Sequence, residues 1–266
     1  MLDSVFEKTV WDGRRSIWWW VGGIGTLAAF MVAYYPALRD MSEFADLLES
    51  YPEAMLALFG IDPAEFLTAA GFIHSELYSA MLPVIFFIFT IMRGAAATAG
   101  EEQDGTMDLV LSAPVSRTRV VVDKSLAMAV LTAGLGLSLV VILLVGNVIV
   151  DMGLSVVGIV AINLGLVLLA LLFGAFAMAV GAWTGRRVMA AGAAAGVAVA
   201  AFFVNGLAAL VPALEVPQQA SPFHWLLDPK PLITGFDWAG IGLLTATSAV
   251  FFAVAVWAFG RRDIST

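Results

Sequence analysis

No cysteine occurs in this 266-residue sequence, so neither a disulfide nor a thiolate metal site can form in it. Histidine is nearly as scarce: His74 and His224 are the whole complement, and two ligands do not make a zinc centre. No lysine follows a glycine. Lys8, Lys124 and Lys230 follow Glu7, Asp123 and Pro229, which excludes a P-loop. Charge is the largest deficit. Charged residues make up 13% of the chain, against roughly 25% in soluble globular domains. With a mean hydropathy of +0.94 the chain belongs in a bilayer.

What fills the sequence instead is a series of long apolar runs, near residues 16–35, 77–98, 125–150, 155–183, 188–211 and 238–260. Each covers about 30 Å or more as a helix, enough to cross the hydrocarbon core. Helices buried in a large soluble protein fit poorly, because nothing amphipathic remains to cover them. The first run follows an Arg14-Arg15 pair, as in a twin-arginine leader, but ends in "AYYPALRD" without a small-residue cleavage site and reads as a retained anchor. The fold class is therefore an all-α polytopic membrane protein with six transmembrane helices, residues 1–266 forming a single transmembrane domain.

Six spans put both termini on one side. That side collects Lys8, Arg14, Arg15, Arg93, Arg117, Arg119, Lys124, Arg186, Arg187, Arg261 and Arg262, leaving only Arg39 and Lys230 opposite. By the positive-inside rule the termini and residues 99–124 are cytoplasmic, in a cell membrane. The formal net charge of −8 then signals no basic partner, since much of the acid falls in outer segments, and nucleic-acid binding is unsupported.

Outside the spans, residues 1–15 place Leu2, Val5, Phe6, Thr9 and Val10 near one helical face, which suits an interfacial helix on the cytoplasmic membrane surface. Trp18, Trp19 and Trp20 follow as an aromatic belt. In the outer loop 36–75, Met41, Phe44, Leu48 and Tyr51 recur at helical steps, Pro52 opens a second helix ending at Gly60, and Asp62 with Pro63 reads as an N-cap and first helical residue. The outer segment 212–237 has too many prolines to be one helix, and His224 with Trp225 reads as an interfacial anchor. Within the spans the polar groups are few, chiefly Asn147, Asn163 and Asn205, and no carboxylate sits near a span centre, which counts against an ion-coupled carrier. Pro83 predicts a kink in the second span. Gly192 and Gly196 form a GxxxG step, a contact either between helices of one subunit or between two subunits.

The exception to this apolar pattern is "EEQDGTMDLVLSAPVSRTRVVVDK", residues 101–124, with eight charged side chains: Glu101, Glu102, Asp104, Asp108, Arg117, Arg119, Asp123 and Lys124. At the bilayer centre they would cost roughly 20 kcal/mol or more. The segment is not a plain linker either. Met107, Val110, Leu111, Pro114 and Val115 share one face of a short helix, Pro114 ends it, and Ser116 can cap the helix that enters span three. Two readings stay open on these grounds: a cytoplasmic elbow with an amphipathic helix for a partner, or a solvated loop with an interfacial anchor.

The ordered pattern "GEEQDGTMDLVLSAPVSRTRVVVDKSLA", together with the six-span layout, resembles the ABC-2 type permeases of ATP-driven exporters along essentially the whole chain. The resemblance implies a membrane subunit whose elbow is a coupling helix seated on a separate nucleotide-binding ATPase. Carried over by position, the docking residues are Glu101, Glu102, Gly105, Thr106, Leu109, Leu111, Ser112, Pro114, Ser116 and Arg117. It further implies no catalytic or cofactor site here, ATP and Mg bound by the ABC ATPase partner, a second permease copy in a homodimer, and a path lined by spans one, two and five. An apolar lining would suit a lipid or amphipathic small-molecule substrate. The competing readings are a membrane scaffold or assembly factor of the same fold without transport, and a secondary carrier or channel.

Overall fold

The computed structural model describes residues 4–39, 41, 47, 48, 50–103 and 116–261, residues 101–103 by backbone alone. The described residues are helical, with no strand among them. Six helical runs are long and apolar enough to cross a membrane. We label them α1 (Val5–Arg39), α2 (the continuous run Ala69–Ile73, His74–Met81 and Leu82–Gln103), α3 (Arg117–Val150), α4 (Val156–Thr184), α5 (Arg187–Leu207) and α6 (Trp238–Arg261).

α4 is the central helix, packed against α2, α3, α5 and α6, while α1 lies mainly along α3. The central position follows from its sequence, which is apolar or small on every face and contains no charged residue. Ser155 starts it by accepting a hydrogen bond from the Gly158 N–H, and Gly185 ends it in the left-handed conformation. The closest approach is to α2. A Cβ at Gly94 would lie 2.1 Å from the Gly174 carbonyl oxygen, so this crossing has no room for a side chain. Close by, the Thr98 hydroxyl donates to the Met178 carbonyl at 3.0 Å, tying the same helix pair.

Local signals set the ends of the other helices. Ser116 caps α3, its hydroxyl accepting from the Arg119 N–H at 3.2 Å. The turn from α3 to α4 is closed by Asn147, which donates to the Leu154 carbonyl at 3.0 Å and accepts from the Leu154 N–H at 2.8 Å. Asp62 caps the Pro63–Phe66 helix as its sequence implies, accepting from the Ala64 N–H at 3.0 Å. Pro52 precedes the helix Glu53–Leu58, and Gly60 beyond it has a φ of 62°, which a side chain rarely adopts. Most of the expected helix around Met41–Tyr51 lies outside the described residues. The proline-rich segment 212–237 divides into short helices at Pro212–Leu214, Glu215–Gln219, Pro222–Leu227 and Pro231–Thr234.

Two features depart from the sequence reading. The interfacial helix expected over residues 1–15 is not a separate element: α1 runs unbroken for 35 residues, roughly 52 Å. No proline interrupts it before Pro36, and Gly13 is buried against Leu131 and Arg93, which holds the first turns to the bundle. The second span, for its part, begins at Ala69, where the Thr68 hydroxyl accepts from the Gly71 N–H. After an α-helical first turn, Ala69–Ile73, it is π-helical from His74 to Met81, just ahead of Pro83. A proline within a helix removes one ladder donor and crowds the carbonyl four residues back, which here is that of Ser79 inside the widened stretch.

Candidate functional site

Three regions hold features beyond packing: the mount of the charged elbow, a groove between α2 and α5, and a polar cavity below it. The elbow connects α2 to α3. Of its candidate docking residues, Gly105, Thr106, Leu109, Leu111, Ser112 and Pro114 lie outside the described residues, whereas Glu101 and Glu102 continue the α2 backbone. Ser116 and Arg117 start α3, with Ser116 exposed and Arg117 partly so. Both stems are fixed. Lys124 is buried and donates to the Ala97 carbonyl at 3.1 Å, joining α3 to α2. Arg119 pairs with Asp123 at 2.9 Å one turn along α3. The elbow is thus mounted on helices that are bonded to each other at its base.

The groove has a volume of about 390 Å³, and among the described residues no polar side chain lines it. Phe87, Ile88 and Met92 form the α2 wall, and Ala191, Ala195 and Phe202 the α5 wall. Its sides are open, since Ile88 and Met92 are 47% and 51% exposed. Phe223, from the helix Pro222–Leu227, meets Phe87 edge-on at 5.7 Å and Phe202 at 5.6 Å, so an aromatic cluster closes one end. Of the three spans expected to line a path, α2 and α5 come together here. α1 does not, and instead flanks a second apolar recess of about 350 Å³ beside Trp19, Trp20 and Ile85.

Ala190, Ala194 and Ala198 form the buried stripe of α5. Gly192 and Gly196 point elsewhere: a Cβ at either position would meet nothing within 4 Å. Among the described residues no part of the chain covers that face of α5.

The polar cavity, about 370 Å³, is lined by Thr9, Asp12 and Gly13 of α1, Arg93 and Ala97 of α2, Lys124 of α3 and Arg187 of α5, among others. Arg93 lies with its guanidinium 4.4 Å from the centre of the Phe89 ring. It also runs beside Gly13, where a Cβ would come within 3.2 Å of one of its guanidinium nitrogens. Sequence reasoning counted these cations only as markers of topology. The available signal was Arg93 itself, a lone charge at the end of an apolar run.

At the opposite end, Lys230 and Glu65 pair at 2.7 Å and join the α1–α2 segment to the α5–α6 segment. Ser75 donates to the Gly60 carbonyl at 3.1 Å and holds the α1–α2 segment to α2. Trp225 Nε1 donates to the Gln219 carbonyl at 2.7 Å, so the indole braces its own segment. His74 and His224 belong to no group of three or more metal-ligating side chains among the described residues.

Comparison with curated proteins gives no match. Residues 4–264, however, match the family described as ABC-2 family transporter protein. With six apolar helices and a match spanning nearly the whole length, the chain belongs to the ABC-2 family and is a multi-pass membrane component of a transporter.

Proposed function

We propose that this chain is the permease subunit of an ATP-driven exporter in the cell membrane. The match over residues 4–264 carries the reading. In it, two copies form a homodimer with the substrate path between them, and each elbow seats on a separate ABC ATPase that binds ATP and Mg. Both termini and the elbow face the cytoplasm, where the basic residues gather. The docking set is Glu101, Glu102, Gly105, Thr106, Leu109, Leu111, Ser112, Pro114, Ser116 and Arg117, with Leu109 as the apolar plug and the charges giving orientation. The hydrogen-bonded mount of α2 and α3 suits such an element, because a lever must be anchored to the helices it moves. The uncovered Gly192 and Gly196 face of α5 suits a contact with the second copy.

The apolar groove supports a lipid or amphipathic cargo rather than an ion or a sugar. Everted membrane vesicles carrying the chain and its ATPase should accumulate a fluorescent amphiphile when ATP is added. Ala195→Trp, which fills the groove, should abolish that uptake. Uptake that is independent of ATP, or unchanged by the tryptophan, would overturn the proposal.

A further inference from the structure

The apolar groove and the polar cavity follow one another along the same two helices. On α2, Met92 lines the groove and the next residue, Arg93, lines the cavity. On α5, Arg187 lines the cavity, and Ala191, one turn further, begins the groove wall. The groove then extends along α5 to Phe203, roughly 18 Å from Ala191, slightly more than half the hydrocarbon thickness of a bilayer. An apolar slot one leaflet long therefore ends on a charged pocket.

The charge of that pocket has one dominant sign. Among the described residues Arg93, Lys124 and Arg187 line it, with one carboxylate, the exposed Asp12. Among the described residues neither Arg93 nor Arg187 takes part in an ion pair. Arg93 is held in place by Phe89 on one side and Gly13 on another. A fixed, partly buried guanidinium with unused donors favours an oxyanion, which it can bind through two parallel hydrogen bonds.

We propose that the two volumes form one binding site for an anionic amphiphile, its phosphate-type head group in the cavity between Arg93 and Arg187 and a hydrocarbon tail in the groove. The inference rests on the permease reading and deepens it, naming an acidic lipid-like molecule as the substrate class. Thr9 and Gly13 of α1 form the third wall of the head-group pocket. Charge selects the head and the groove accepts the tail, so neither inorganic phosphate nor a neutral lipid satisfies both halves.

The test uses the purified full-length chain in a neutral detergent, without ATP or ATPase, and measures binding of fluorescent phosphatidylglycerol and of fluorescent diacylglycerol with identical tails. Phosphatidylglycerol should bind more tightly, and Arg93→Gln or Arg187→Gln should each weaken it by roughly fivefold while leaving diacylglycerol unchanged. Ala195→Trp should weaken both lipids. Arg93→Lys, which keeps the charge, guards against a folding defect and should retain most of the preference. Equal binding of the two lipids, or preference unaffected by both glutamine variants, would overturn the assignment. So would displacement of phosphatidylglycerol by inorganic phosphate at equal concentration, since that identifies a free-anion site. ATP-driven transport without head-group preference would refute the substrate class alone, whereas head-group preference in a chain showing no ATP-driven transport would refute the permease reading and the substrate role together.

Discussion

A single methyl group added at Gly94 should push α2 away from α4. The new Cβ would stand 2.1 Å from the Gly174 carbonyl oxygen and 3.0 Å from its carbon. A carbon and a carbonyl oxygen rest at about 3.3 Å or more, so the helices must part by about 1.2 Å. Relaxation by a rotamer change is impossible, because both sides of the clash are backbone. The Thr98 to Met178 hydrogen bond, now 3.0 Å, lies close by and would be stretched out of range by the same movement. Overpacking costs about 1–3 kcal/mol, and the loss of a buried hydrogen bond adds about 1 kcal/mol. Alanine's better helix propensity returns about 1 kcal/mol, leaving a net loss of about 2 kcal/mol. Gly94→Ala should therefore lower the thermal midpoint of the detergent-purified protein by roughly 5 °C, read as loss of the monodisperse peak after heating. Gly242→Ala is the matched control, since Gly242 also lies inside a helix, α6, and its Cβ would meet nothing within 4 Å. A Gly94→Ala midpoint equal to that of the control would refute the backbone contact between α2 and α4.

Asn147→Ala removes both hydrogen bonds to the buried Leu154 and should cost about 2 kcal/mol, seen as a lower thermal midpoint. Lys230→Glu should cost no more than about 1 kcal/mol, because Lys230 and Glu65 are both substantially exposed. The double swap with Glu65→Lys should recover it, and the whole effect should shrink at high salt. Ser112→Cys introduces the chain's sole thiol, which should react with a membrane-impermeant maleimide in everted vesicles and not in intact cells; labelling from outside would overturn the topology.

The spans were legible because a long uncharged run has few alternatives in a bilayer; α4 to α6 lie within a few residues of the expected runs, whereas α3 begins at Arg117, ahead of the run expected from residue 125. Capping was legible too: Ser116 and Asp62 act as their sequence context implies, since an N-cap depends on residues only two or three positions away. Features that depend on distant residues were not readable. Nothing local tells that Gly94 meets Gly174 while Gly192 and Gly196 meet nothing, although the latter carry the recognisable motif. The unbroken α1 was missed because amphipathic periodicity over residues 1–15 fits a surface helix and a continued one equally well; the contacts of Gly13 decide between them. Arg93 and Arg187 lie nearly a hundred residues apart, so the cavity they share exists only once α2 and α5 are packed side by side.

The central claim is that this chain transmits the work of a separate ATPase through its elbow. The most direct measurement is ATP hydrolysis by the complex copurified from membranes and reconstituted in lipid, for the unaltered chain and for Leu109→Asp. Lipid-stimulated hydrolysis should copurify with the unaltered chain, and Leu109→Asp should lose the ATPase with an unchanged thermal midpoint. An ATPase that stays bound to the aspartate variant with its lipid-stimulated hydrolysis intact would contradict the claim.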